Sequence, residues 1–134
     1  MVGAGEDGNV DAVRSWVASG ADINVVNEDG VTPLMLASYQ HRAECVAEML
    51  RLGADARRVD NNGSTALHRV AAPVLLRDGR DGAEVVRLLV AAGCDAAVRD
   101  NDGRTAVEHG RHLFGAKRCW MLEWWVRRAT ARRV

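Results

Sequence analysis

Apolar residues recur along this chain in blocks whose spacing is helical rather than alternating. In Val10–Ser19 the stripe is Val13, Trp16 and Val17. In Ala43–Leu52 it is Val46, Met49 and Leu50, with Cys45 beside it. In Ala83–Ala92 it is Val86, Leu89 and Val90, with Val85 and Leu88 at its edges. Steps of three and four residues gather each set on one face of an α-helix. Each block ends at a glycine, Gly20, Gly53 or Gly93, which suits the left-handed residue after a helix C-terminus. Thr32, Thr65 and Thr105 open a shorter helix in each of three units, where a hydroxyl can accept an orphan helix N–H. Pro33 then falls at the first helical position, where its missing N–H costs nothing. Thr105 and Glu108 form a capping box, and Asp29-Gly30, Asn62-Gly63 and Asp102-Gly103 are tight-turn dipeptides. Each unit therefore reads as turn, short helix, short turn, longer helix, glycine stop and extended arm.

The units are in phase. Gly30 to Gly63 spans 33 residues, and so does Gly20 to Gly53. A fixed period of this length signals a stacked array. Its wording resembles the ankyrin repeat, whose signature is a turn ending in glycine followed by T-P-L-H-x-A. Thr32-Pro33-Leu34 and Ala37 match, with Met35 in the histidine place. Thr65, Leu67 and His68 match in the next copy, with Ala66 for proline. In the last copy Thr105 matches while Ala106, Val107 and Glu108 depart. The expected fold is an all-α solenoid of helix-turn-helix units joined by hairpin-like turns. One such helix pair cannot bury its stripe alone, so stability requires three or more stacked units. The array is expected over residues 1–128, with units at about 1–26, 27–59, 60–99 and 100–128, and a basic tail at 129–134.

The end units depart from the pattern. Residues 1–9 are too few and too rich in glycine for a complete first helix, which suggests either a stunted cap or an array that continues upstream. The third unit carries seven extra residues within Pro73–Asp81, read as a surface insertion. In the last unit the helices are expected at Ala106–His112 and about Ala116–Arg128, with fraying beyond Arg128. Cys119, Leu122 and Val126 continue the inner stripe, while Trp120 and Trp124 fall one turn apart on another face and Trp125 lies near the edge. These tryptophans read either as a terminal cap or as an exposed interaction patch.

Charge and cysteine content narrow the class. The formal net charge is zero, but residues 1–103 carry 10 Arg against 16 Asp and Glu, and residues 104–134 carry 8 Lys and Arg against 2 Glu. Without a base-reading module this asymmetry reads as a solvated basic end rather than a nucleic-acid surface. Cys45, Cys94 and Cys119 are three in number and lack a C-x-x-C spacing, which fits unpaired thiols in a reducing compartment, the cytoplasm or the nucleus. No apolar run approaches the 18 residues of a membrane span.

Catalytic constellations are weak. Gly3-Ala4-Gly5-Glu6-Asp7-Gly8 spells a dinucleotide motif, but Glu6 and Asp7 would repel a pyrophosphate. His109 and His112 lie one helical turn apart, and a zinc site lacks its third ligand there, so they read as an exposed helix end. His68 reads as structural, within reach of Thr65 or a neighbouring unit's backbone. No cofactor, metal or catalytic residue is expected.

The resemblance implies a non-catalytic module that binds another protein through its turn tips and the concave face of its short helices. Carried onto this sequence, the tips are Val26, Glu28, Asp29 and Val31; Val59, Asn61, Asn62 and Ser64; and Arg99, Asn101, Asp102 and Arg104. The helix ends would present Tyr39, Gln40, Ala72 and His112, with Tyr39 either an anchor or packed on the next unit. Two alternatives remain: assembly or anchoring through Trp120 and Trp124, including self-association, or a targeting segment of a larger enzyme or signalling protein.

Overall fold

The structure, a computed structural model, describes residues 10–70, 79–114, 123–124 and 126–131, with the backbone alone for 79–82 and 113–114. Its helices are α1 (Val10–Ala18), α2 (Pro33–Tyr39), α3 (Ala43–Arg51), α4 (Ala66–Val70), α5 (Gly79–Ala91) and α6 (Ala106–Phe114). Residues 123–124 and 126–131 are helical as well, and no strand occurs among the described residues.

Two layers follow from the two kinds of helix. The second helices of their units, α1, α3 and α5, pack side by side in one layer, and the first helices, α2, α4 and α6, in the other. Within a unit, α2 pairs with α3 and α4 with α5. The stripes meet between the layers. Leu34, Met35, Met49, Leu67, Leu89, Val13, Val46, Val85 and Val86 are all at most 1% exposed. Burying each such side chain is worth about 1.5–3 kcal/mol relative to leaving it in water.

The predicted helix boundaries form where local chemistry dictates. The Thr32 hydroxyl accepts from the Met35 N–H at 3.2 Å, with Pro33 at the first helical position. Gly53 ends α3 at φ +100°, in the left-handed region that glycine enters without steric cost. Between α2 and α3, His41 holds φ +55°, an uncommon conformation for a residue with a side chain. Its Nε2 bonds to the carbonyl oxygen of Val70 at 2.9 Å, fastening this bend to the end of the next unit's short helix.

Neighbouring long helices are tied by charge. Glu48 on α3 accepts a hydrogen bond from Arg14 Nε of α1 at 3.0 Å and another from Arg51 on its own helix. The Arg51 hydrogen bond, followed by that of Arg14, holds the Glu48 carboxyl down to about 2.

Two boundaries differ from expectation. α5 begins at Gly79 rather than Ala83, so the end of the insertion is helical. An apolar stripe marks only the turns that touch a neighbour, and residues 79–82 carry none. At the other end the helix continues past Arg128 to residue 131. Ala129 lies three residues after Val126 and is buried beside it, and the Thr130 hydroxyl donates to the Val126 carbonyl at 2.9 Å. Residues 1–9, 71–78, Cys119, Trp120, Leu122 and Trp125 lie outside the described residues.

Candidate functional site: the row of turn tips

Each turn is closed by one acidic or amide side chain at its base. Asn27 Oδ1 accepts the N–H groups of Asp29 and Val31 at 2.9 and 3.0 Å. Asp60 does the same for Asn62 and Ser64 at 2.8 and 3.0 Å, and Asp100 for Asp102 and Arg104 at 2.9 and 3.0 Å. Side chains of this kind favour turns because they can mimic a backbone acceptor. Asp60 is also paired with Arg69. Burial pushes the Asp100 carboxyl up, but the N–H groups of Arg104 and Asp102 outweigh that and leave it below its ordinary value.

The turns are then linked to one another. The Asn61 N–H donates to the Asp29 carbonyl at 2.9 Å, and its side-chain amide to the Glu28 carbonyl at 2.9 Å. One unit on, the Asn101 N–H donates to the Asn62 carbonyl at 2.8 Å and its amide to the Asn61 carbonyl at 3.1 Å. A second link joins the roots of the first two arms, where Asn24 donates to the Gly53 carbonyl at 3.3 Å and accepts from the Asp55 N–H at 2.8 Å. The asparagine spacing was visible in the sequence, but nothing in it distinguished an amide bonding sideways from one facing a partner.

Beneath the tips the short helices are clamped at their N-termini. His68 is 3% exposed, and its Nδ1 takes bonds from the Thr65 N–H at 3.1 Å and hydroxyl at 2.9 Å. With Nδ1 accepting, Nε2–H donates to the Arg104 carbonyl of the next unit at 2.9 Å. His68 is thus the structural residue expected from its spacing. In the last unit the capping box closes as expected: Glu108 Oε1 accepts from the Thr105 N–H at 3.1 Å, and the Glu108 N–H donates to the Thr105 hydroxyl at 3.3 Å.

The sequence-predicted site residues separate into groups. Val26, Glu28, Asp29, Val59, Asn61, Asn62, Arg99, Asn101 and Asp102 are exposed along the row. Ser64 and Arg104 are half-buried, as is Gln40 at the end of α2, whereas Tyr39 beside it is exposed. Val31 does not belong with the tips: at 5% exposure it turns into the core, because the chain reverses at Gly30 and the next residue already leads into α2. Arg99 binds the Gly103 carbonyl and Glu108, so its charge is met within the unit.

His109 also differs from expectation. Instead of marking an exposed helix end, it is half-buried, its ring 6.0 Å from that of His68 and its Nδ1 3.8 Å from Asp100. Burial, followed by His68, pushes its pKa below the ordinary histidine value. Among the described residues no three His, Cys, Asp or Glu side chains are placed to hold a metal ion. Cys45 and Cys94 are buried, and burial pushes both thiols up.

Two other features stand away from the row. A depression of about 510 Å³ between α1 and α3 is lined by Val10, Ala47, Glu48 and Arg51 among others, with carboxylates and guanidinium groups of both signs. At the C-terminal end Trp124 is 50% exposed, with the Arg128 guanidinium 5.1 Å above its ring. No helix among the described residues is long and apolar enough to cross a membrane.

Paired helices stacked in two layers, with linked turns projecting from one edge, define a helical-repeat solenoid. A family model described as ankyrin repeats in three copies matches residues 1–73, and one described as an ankyrin repeat matches residues 62–101. The chain belongs to the ankyrin-repeat family, whose members are generally protein-interaction modules. It is similar to Protein lin-12 of Caenorhabditis elegans, 39% identical over 67 residues, which are 50% of this chain and 5% of that protein. It is similar also to the Neurogenic locus Notch protein of Drosophila melanogaster, 37% identical over 68 residues, 50% of this chain and 2% of that one. A third relative is the phosphocholine transferase AnkX of Legionella pneumophila, 34% identical over 64 residues, 47% of this chain and 7% of that enzyme. The chain thus spans a small part of the length of these relatives.

Proposed function

We propose that this array is a non-catalytic module that grips another protein along its row of turn tips and the adjoining ends of its short helices. The observation that carries this reading is the lateral linkage of the tips through Asn61 and Asn101, which fixes three exposed turns relative to one another. A preformed surface loses little entropy on binding, which favours affinity. Tyr39, exposed at the end of α2, adds a rigid amphipathic ring at the margin. The candidate groups for chemistry have structural work instead: His68 and Asp100 hold turns and caps together. The buried thiols Cys45 and Cys94 support a reducing compartment, the cytoplasm or alternatively the nucleus.

The first tip is acidic, so a basic or polar partner segment suits it. Affinity capture from a native extract, read by mass spectrometry, tests the reading. Reversing charge with Glu28→Lys and Asp29→Lys is expected to abolish capture while leaving the thermal melt unchanged, since both side chains are exposed. Undiminished capture by a folded variant would overturn it.

A second reading has its own observation. The half-exposed Trp124 at the array's end supports assembly through that helix, either with a second copy or with a following domain. Trp124→Ser is then expected to lower the mass measured by light scattering, and an unchanged mass removes this reading.

A further inference from the structure

The contact between the last two units holds three groups that can take or release a proton. His68 on α4, Asp100 at the base of the third turn and His109 on α6 converge there, with the two rings 6.0 Å apart and tilted by 55°. Asp100 Oδ2 stands 3.9 Å from His68 Nε2 and 3.8 Å from His109 Nδ1. Neither spacing is a hydrogen bond. His68 and Asp100 are buried, and His109 is half-buried.

Two of the three groups are already committed. Asp100 Oδ1 accepts the N–H groups of Asp102 and Arg104 at 2.9 and 3.0 Å, which closes the turn. His68 spans from the Thr65 N–H to the Arg104 carbonyl. His109 is different: its Nδ1 is buried and has no hydrogen-bond partner among the described residues.

A proton added to His109 is poorly met in this arrangement. The groups that face it are Asp100 at the base of the turn, His68 on α4, Arg104 just before α6 and His112 on α6 itself. Asp100 alone attracts it, and at 3.8 Å that attraction includes no hydrogen bond. Drawing Asp100 closer would lift its carboxylate off the Asp102 and Arg104 N–H groups and open the turn. Leaving Asp100 in place strands a half-buried charge, which costs free energy. Both routes weaken the same turn. The Asn101 N–H that bonds to the Asn62 carbonyl at 2.8 Å belongs to it, so the loosening reaches the row of tips.

We propose that this cluster is a pH-sensitive latch, closed while His109 is neutral and released when acid protonates it, so that the last unit loosens before the others. The latch does not depend on which protein the tips bind. Burial, followed by His68, sets the direction. Folded His109 takes a proton less readily than the unfolded chain, whose histidines titrate at about 6.5. Well above that pH neither state carries the proton, and stability is unaffected. As pH falls through it, the opened state gains the proton first, and stability is lost until folded His109 is protonated as well. Asp100 lies below its ordinary carboxylate value, so it stays ionised across this window.

The test is amide hydrogen exchange by NMR on the full chain at about pH 7.5 and about pH 5.5, either side of the histidine range, with intrinsic rates removed. The N–H groups of Asn101, Asp102, Arg104 and His109 all bond within or beside this turn. Their protection is expected to fall on acidification about three- to tenfold more in the parent than in His109→Gln. A residue that only fills space would weaken these sites alike at both pH values when replaced. The His109 imidazole resonance, followed in the parent alone, needs no variant to fold. It is expected to titrate at lower pH than histidine in an unstructured peptide. Equal falls in parent and variant, or a His109 midpoint at or above the peptide value, overturns the proposal.

Discussion

His68→Ala is expected to destabilise the array by about 3 kcal/mol, from the lost packing of a buried ring and the stranding of its hydrogen-bond partners. Three groups are affected: the Thr65 N–H, the Thr65 hydroxyl and the Arg104 carbonyl. The last belongs to the following unit, so the damage should concentrate at the C-terminal end. Stability in such arrays is a sum of unit and interface contributions, and weakening one interface can uncouple an end unit. The tryptophans permit a direct check, because Trp120, Trp124 and Trp125 follow Thr105 in the sequence and only Trp16 stands near its start. In a urea titration, tryptophan fluorescence should report unfolding at lower denaturant than far-UV circular dichroism does for the variant. Coincident transitions, with a shift below about 0.5 kcal/mol, would show that the histidine bond between units contributes nothing measurable.

Gly63→Ala is expected to cost about 2–4 kcal/mol, whereas Gly103→Ala should cost only about 1–2 kcal/mol, the price of a left-handed residue with a side chain. The two glycines have nearly the same backbone, φ +75° and +77°. Their surroundings differ. A Cβ on Gly63 would meet Asn101 Oδ1 at 2.8 Å, the Asn101 backbone nitrogen at 3.1 Å and Asp100 Cα at 3.3 Å. A Cβ on Gly103 would meet nothing within 4 Å. The difference between the two variants therefore isolates the lateral contact from backbone strain. Denaturant midpoints measured for both give it directly, and equal losses would mean that the close approach of neighbouring tips adds no stability.

Much of this architecture follows from short-range chemistry and could be read before any coordinates. Thr32 capping Met35, the Thr105–Glu108 capping box and the left-handed glycines that end the long helices each depend on residues within one turn of each other. The stripe positions Val46, Met49, Val86 and Leu89 are buried because helical spacing places them on one face, whichever neighbour covers it. The 33-residue period, together with the Thr-Pro-Leu phrase, was enough to indicate the family.

The tips were less legible. Val31 was grouped with its exposed neighbours because it follows the turn in sequence, yet at 5% exposure it is part of the core. Asn61 and Asn101 stood among partner-facing residues, but their amides bond to the preceding turn. Glu48 bound by Arg14, His41 bound to Val70 and His109 set against His68 had no local signal, since each partner lies on another helix.

By itself the sequence determined the units: where helices start and stop, which face of each is apolar, and that such units must stack to survive. Only the tertiary structure decided what the stacking covers and what it leaves open, including the exposed acidic first tip, the helix that runs on to residue 131, and the sideways bonds that align the turns. The division is physical. Capping, glycine conformation and helical periodicity act within a few residues, whereas burial and bonds between units depend on how separate segments come to lie together.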